Sequence, residues 1–224
     1  MIKAVIFDLD GTLVNSLDDL AVSTNYSLEH HGFKGYPVED YKYLVGDGMV
    51  KLIERAIPKD KYNPETFKSV FDCFMAHYRQ NYLVNTVAYD GICDVLDTFS
   101  KMGIKLAVIS NKADDMAKQV VSSIFGDNIF DAVTGKREGY PTKPDPTLTL
   151  KIISELGVSP NECVFVGDSG MDTATAVNTG CYPLGVLWGF RSKTELLENG
   201  AKSLAKIPSE IVEIVREINN GCSR

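Results

Sequence analysis

Two aspartates spaced two apart, Asp8 and Asp10, end an apolar run and are followed at once by Gly11 and Thr12. The run itself, Ile2, Ala4, Val5, Ile6, Phe7 and Leu9, is rich in branched side chains and suits a strand buried on both faces of a parallel sheet. Placing two like charges at the end of such a strand costs several kcal/mol by order of magnitude unless a cation or hydrogen-bond donors compensate, so the pair implies a metal. A hard cation such as Mg²⁺ fits: one carboxylate ligates directly while the other is left for proton transfer or ligates through its carbonyl. Residues two apart on a straight strand point the same way, so both acids would face one crevice, although Gly11 makes a bend there. The plain alternative is a capped turn, because Asp, Gly and Thr are ordinary turn residues.

The elements that must hold these acids follow from the rest of the chain. Ser16 can cap a helical pattern whose first turn Asp18 and Asp19 suit and which Gly32 ends. Pro37 and Val38 begin a second helical piece, Gly46-Asp47-Gly48 interrupts it, and a longer helix fits Pro64 to about Leu83. No strand pattern occurs from Leu17 to Leu83. From Gly91 helices and strands alternate: strands are expected at Ile104–Ile109, Phe130–Thr134, Cys163–Val166 and Pro183–Leu187, the last clear one. Helices are expected at Ile92–Met102, Ala113–Phe125, Thr147–Leu156 and Thr173–Asn178. This alternation predicts an α/β fold with a doubly wound parallel sheet, whose ligands collect at the carboxyl ends of the strands. Residues 16–84 then form an all-α cap inserted into a core of residues 1–15 and 85–224.

Polar residues recur at those strand ends. Ile104–Ile109 runs into Ser110, Asn111 and Lys112, offering a hydroxyl and an amide. Cys163–Val166 runs into Gly167-Asp168-Ser169-Gly170-Met171-Asp172, offering two more acids, and Lys143 lies between them in a proline-stiffened Thr142–Pro146 loop. Each has a bland explanation as a cap, a first-turn acid or a solvated charge; their common placement at one crevice does not.

Composition narrows the class. The chain has 224 residues, 44% of them apolar, enough for a sizeable core, and a formal net charge of -7. No Lys/Arg cluster offers a nucleic-acid surface. Five scattered cysteines (Cys73, Cys93, Cys163, Cys181, Cys222) without a CxxC pair point to a reducing compartment. With no run of transmembrane length and Met1 leading straight into a strand, the expectation is a cytoplasmic protein off the membrane. His30, His31 and His77 lack metal-ligand spacing, and Trp188 reads as packing.

Asp-Leu-Asp-Gly-Thr at 8–12, Ser110 after a strand, Lys143 before Pro-Asp-Pro, and Gly-Asp-Ser-Gly-Met-Asp at 167–172 together resemble the four ordered motifs of the haloacid-dehalogenase-type hydrolase superfamily, over almost the whole chain. Leu44–Gly48, Gly185–Arg191 and Asn199–Ala201 further resemble its phosphoglycolate-phosphatase-like branch. The resemblance implies that Asp8 is the nucleophile that forms an aspartyl-phosphate and that Asp10 is the general acid and base. It implies Mg²⁺ held by the Asp8 carboxylate, the Asp10 carbonyl and the Asp168 carboxylate, with Asp172 behind them. Thr12, Ser110, Asn111 and Lys143 would meet the phosphoryl group of a small phosphorylated substrate. Gly46 and Gly48, with Asp47 between them, would form a cap loop that closes over the substrate, its amides or Lys51 meeting a carboxylate.

Asp10 argues against dehalogenation and phosphonate cleavage, whose relatives lack an acid there, and Thr12 argues against a sugar-phosphate mutase. Phosphomonoester hydrolysis, with 2-phosphoglycolate the best-fitting substrate, is the expectation; sugar phosphates, nucleotides, pyrophosphate and phosphomutase chemistry are the alternatives. A phosphorylatable receiver also gathers acids, a hydroxyl and a Lys around Mg²⁺, but its acceptor Asp lies mid-chain. A scaffold with a vestigial site is the remaining non-enzyme reading.

Overall fold

Ala4, Val5, Ile6 and Phe7 make a strand without solvent exposure on either face, as an unbroken apolar run requires. The computed structural model describes residues 1–46 and 48–221. Its strands are β1 (Ala4–Phe7), β2 (Val14–Asn15), β3 (Val87–Ala88), β4 (Lys105–Ala113), β5 (Ala132–Lys136), β6 (Cys163–Gly167), β7 (Tyr182–Val186) and β8 (Ser203–Ala205). Its α-helices are α1 (Leu17–His30), α2 (Tyr41–Leu44), α3 (Met49–Ala56), α4 (Pro64–Asn81), α5 (Ile92–Lys101), α6 (Asp114–Phe125), α7 (Thr147–Glu155), α8 (Gly170–Thr179), α9 (Lys193–Glu198) and α10 (Ser209–Asn219). The fold is the expected α/β one, with six parallel strands in the order β5-β4-β1-β6-β7-β8. β1 lies inside the sheet, Ala4 registering with Lys105 on one side and Cys163 on the other. On one face Ile6, Ala107, Ile109 and Phe165 pack with Ile152, Ile153 and Leu156 from the α7 region and Ala176 of α8. Burial of this kind contributes roughly 1.5–3 kcal/mol per large side chain before entropy is counted.

The chain divides into two compact units, Met1–Val14 with Ala88–Arg224, and Asn15–Val87. The sheet and α5 to α10 belong to the first unit. β2 and β3 pair with each other where the chain passes from one unit to the other and back.

Within Asn15–Val87 the described residues after β2 and before β3 hold no strand. α1 packs on α4, with Leu28, Val70, Phe74 and Tyr78 fully buried. Asn63 caps α4 by accepting from the Thr66 N–H, and Pro64 takes the first helical position. The start of α1 corrects the expectation for Ser16. Its hydroxyl makes no cap hydrogen bond and is buried without a partner, while Asn15 Oδ1 accepts from the Leu17 N–H at 3.3 Å. Asp19 stands in the first turn, as expected, yet is not turned to solvent. It is buried and accepts from the backbone N–H groups of Asn85 and Thr86, at 2.9–3.0 Å, and from the Asn85 amide and Thr86 hydroxyl. One carboxylate thereby ties the end of this unit to its beginning.

Two further corrections concern the C-terminal part. Pro183–Leu187 is not the last strand, since β8 adds to the edge with Leu184 registering on Ser203. The amphipathic α10 follows it, burying Ile211, Val212, Ile214 and Val215. β4 also runs beyond Ile109 through Ala113, with a shift of register against β5 between those two residues. No described helix is long and apolar enough to cross a membrane.

Candidate active site

Asp8 follows β1 directly and still joins the sheet, its N–H donating to the Val166 carbonyl at 2.9 Å. The chain then turns back. The N–H groups of Thr12, Leu13 and Val14 all point at the Leu9 carbonyl, and Gly11 takes φ +90°. The strand therefore does not run straight through both acids, and Asp8 and Asp10 acquire different partners. Asp8 Oδ1 accepts from Lys143 Nζ at 2.7 Å; Asp10 presents both carboxylate oxygens to Lys112 Nζ, at 3.1 and 3.2 Å.

Lys143 sits in the loop after β5 and is buried. Asn111 clamps its backbone, accepting from the Lys143 N–H at 2.9 Å through Oδ1. The ammonium reaches Asp172 Oδ1 at 2.6 Å as well as Asp8. Asp172 Oδ2 accepts from the Ser169 N–H and hydroxyl, closing a capping box at the start of α8. Asp168, just after β6, accepts from the Phe190 N–H at 2.8 Å and from the Thr12 hydroxyl at 3.3 Å. Ser110 is buried in β4, its Oγ accepting from the Lys112 N–H. These residues thus stand at or beyond the carboxyl ends of β1, β4, β5 and β6, and Phe190 beyond β7.

Asp8, Asp168 and Asp172 bring one carboxylate oxygen each to within 4.8 Å of one another, the only such acidic or thiol cluster among the described residues. All three are buried, and one ammonium, Lys143, touches the cluster, leaving two negative charges to be balanced. Burial, with the Asp172 charge added, pushes the Asp8 carboxyl up to about 7 against the pull of Lys143. Burial and the charges of Asp172 and Asp8 likewise raise Asp168 well above the carboxylate range. Burial would depress Lys143, but the Asp172 and Asp8 carboxylates outweigh it and hold the ammonium charged. An all-oxygen donor set with a deficit of two positive charges is what a hard divalent cation satisfies.

Glycines make the close approach to Asp168 possible. A Cβ on Gly11 would lie 2.4 Å from Asp168 Oδ2, and one on Gly189 would lie 2.2 Å from the Asp168 Cβ and 2.5 Å from the Gly11 carbonyl oxygen. Gly189→Ala is expected to shift Asp168 and to weaken divalent-cation binding about tenfold or more, the usual cost of disturbing what supports a ligand. Isothermal titration with Mg²⁺ checks this, and an unchanged affinity refutes it.

The structure therefore brings Asp8, Asp10, Thr12, Ser110, Asn111, Lys143, Asp168 and Asp172 into one unit, with Asn111 turned to the Lys143 backbone. Gly46 and Gly48 belong to the other unit, where Gly48 precedes α3 with φ +86°; Asp47 lies outside the described residues. Lys51 is paired with Glu54 at 2.5 Å. Lys112 was missed by sequence reasoning, which saw a hydroxyl and an amide in Ser110-Asn111-Lys112. The available signal was a cation placed directly after an apolar strand and a site hydroxyl.

The haloacid dehalogenase-like hydrolase family model matches residues 5–186. A protein from Aquifex aeolicus named phosphoglycolate phosphatase is 30% identical over 213 residues, 95% of this chain and 96% of its own length. One of the same name from Neisseria meningitidis is 31% identical over 220 residues, 97% of this chain and 94% of its own. The crystal structure of a Lactobacillus delbrueckii subsp. bulgaricus protein superposes with a TM-score of 0.89 at 31% identity, covering 95% of this chain and 98% of that one. With four ordered motifs gathered at one end of its sheet and likeness along nearly its whole length, the chain belongs to the haloacid dehalogenase-like hydrolase family, in the branch that holds these relatives.

Proposed function

We propose that the chain is a Mg²⁺-dependent phosphatase that hydrolyses small phosphomonoesters, 2-phosphoglycolate best among them, through an aspartyl-phosphate on Asp8. The observation that carries this reading is the Lys143 ammonium set between Asp8 and Asp172 with Asp168 in the same cluster. The names of the Aquifex and Neisseria relatives support the substrate. The core-and-cap division at 15–16 and 84–85 belongs to the same reading, with Gly46 and Gly48 on the cap loop. So does a cytoplasmic location, which the free thiols of Cys73, Cys93, Cys163 and Cys181 suit.

Asp8 Oδ1 is oriented by Lys143, and its free oxygen attacks phosphorus in line. The Lys143 ammonium and the Ser110 and Thr12 hydroxyls offset charge on the phosphoryl oxygens. Asp10 gives a proton to the departing alkoxide and takes one from the water that cleaves the acyl phosphate. The Asp8 and Asp168 carboxylates and the Asp10 carbonyl would hold Mg²⁺, which would supply electrostatic stabilisation of the phosphoryl group.

Purified protein should release p-nitrophenolate from p-nitrophenyl phosphate in the presence of Mg²⁺, and no turnover above background ends the reading. A panel of 2-phosphoglycolate, hexose phosphates, nucleotides and pyrophosphate, ranked by kcat/KM, tests the substrate. Asp10→Asn should slow the single-turnover release of an alkyl leaving group by about 10²-fold or more and of an aryl one far less, because a phenolate departs without much protonation, while the shared cleavage of the acyl phosphate slows for both. Equal losses in leaving-group release remove Asp10 from the acid role.

The pH dependence has a definite sign. A carboxyl raised to about 7 in the folded protein contributes stability that is present at low pH and lost as pH rises through that value. Metal-free protein should therefore lose stability from about pH 4 to pH 8, and Mg²⁺, which must displace the proton from Asp8, should raise Tm more at pH 8 than at pH 5.5. Differential scanning calorimetry at both pH values decides the matter, equal shifts excluding Asp8 as a ligand.

A further inference from the structure

Among the described residues two lysines are buried, and the chemistry above uses only Lys143. The other, Lys112, has a side chain 3% exposed, against 21% for its partner Asp10. Its ammonium meets both Asp10 oxygens at nearly equal distance, 3.1 and 3.2 Å, which opposes rotation of the carboxylate about its own axis. Its backbone is fixed as tightly. The Lys112 N–H donates to Ser110 Oγ at 3.2 Å, and β5 packs so closely that a Cβ on Gly135 would lie 2.5 Å from the Lys112 carbonyl oxygen. The register shift between Ile109 and Ala113 places Lys112 in an irregular stretch of β4, the kind of local distortion that re-aims a side chain.

We propose that Lys112 is a positioning residue: it holds the Asp10 carboxylate in one orientation, so that the proton for the leaving oxygen is delivered from a fixed place. The inference rests on the reading of Asp10 as the acid. A direct contact between Lys112 and a substrate anion is disfavoured, because the ammonium is almost without solvent access and Asp10 occupies it on both oxygens. Misplacement of a reacting group by about 1 Å is worth roughly 10²-fold in rate, which sets the scale of the expected effect.

The test is a comparison of leaving groups in Lys112→Met and Lys112→Ala. For both, the single-turnover rate of leaving-group release from 2-phosphoglycolate and from ethyl phosphate, whose ethyl group carries no charge, should fall about 10²-fold, while that from p-nitrophenyl phosphate stays within about threefold, since the phenolate needs little protonation. The aryl substrate thus reports whether each variant is folded and otherwise competent. Added ethylammonium should restore alkyl-phosphate turnover in Lys112→Ala, where the side chain has left a space, and not in Lys112→Met. Equal losses of that first-step rate on alkyl and aryl substrates overturn the proposal in favour of packing alone. A rise in KM confined to 2-phosphoglycolate, with ethyl phosphate unaffected, overturns it in favour of a substrate contact. Absence of all turnover in the unaltered protein is a different result, which refutes the phosphatase reading itself.

Discussion

Asp8→Asn is expected to abolish hydrolysis of p-nitrophenyl phosphate and of 2-phosphoglycolate alike, a loss on the order of 10⁴-fold or more, because an amide is no nucleophile toward phosphorus. The same substitution should stabilise the metal-free protein. Burial and the charge of Asp172 already push Asp8 up to about 7, so its ionised form is strained at neutral pH, and an uncharged isostere relieves that strain. Lys143 keeps its pairing with Asp172 at 2.6 Å. The combined outcome, no activity with a Tm at pH 8 raised by a few degrees, separates a residue that performs chemistry from one that merely supports the fold. Retained turnover, or a Tm lowered by the change, contradicts the assignment.

Lys143→Met has the opposite thermal sign. It removes the ammonium that contacts Asp8 and Asp172, and deleting one partner of a buried ion pair costs about 3–5 kcal/mol. Catalysis should fall about 10²- to 10³-fold on every phosphomonoester, since on the proposed mechanism the lost charge would face the phosphoryl group whatever the leaving group. Both effects are measurable on one sample, by calorimetry and steady-state kinetics. Lowering the pH should recover part of the stability, because protonation relieves the remaining acids. A variant of ordinary stability and activity would remove Lys143 from the centre of the site.

Most of what positions the chemistry could be read from the chain because it is local or repetitive. The Ile2–Leu9 run announced β1, the helix-strand alternation after Gly91 announced the sheet, and the polar residues that follow the strands marked its carboxyl end. What could not be read depends on partners far away in sequence. Asp19 resembles any first-turn acid until Asn85 and Thr86, 66 and 67 residues later, meet it. Lys112 follows an apolar strand like any polar residue there, and only the fold reveals that it is buried and meets Asp10, 102 residues earlier. Ser16 looked like a cap, yet its hydroxyl accepts nothing from the helix and Asn15 instead accepts from the Leu17 N–H. β8 spans only Ser203–Ala205, too short for a period of two to register, and gains its place by pairing with β7.

The grip of Asp19 on Asn85 and Thr86 reaches further than local stability. A segment whose entrance and exit are fastened together asks little of its host beyond two adjacent attachment points. All six strands of the main sheet, and every acid and lysine of the candidate site, lie outside Asn15–Val87. Asn15–Val87 is thus a unit whose two ends are closed by its own side chains, with no strand of the six-stranded sheet within it.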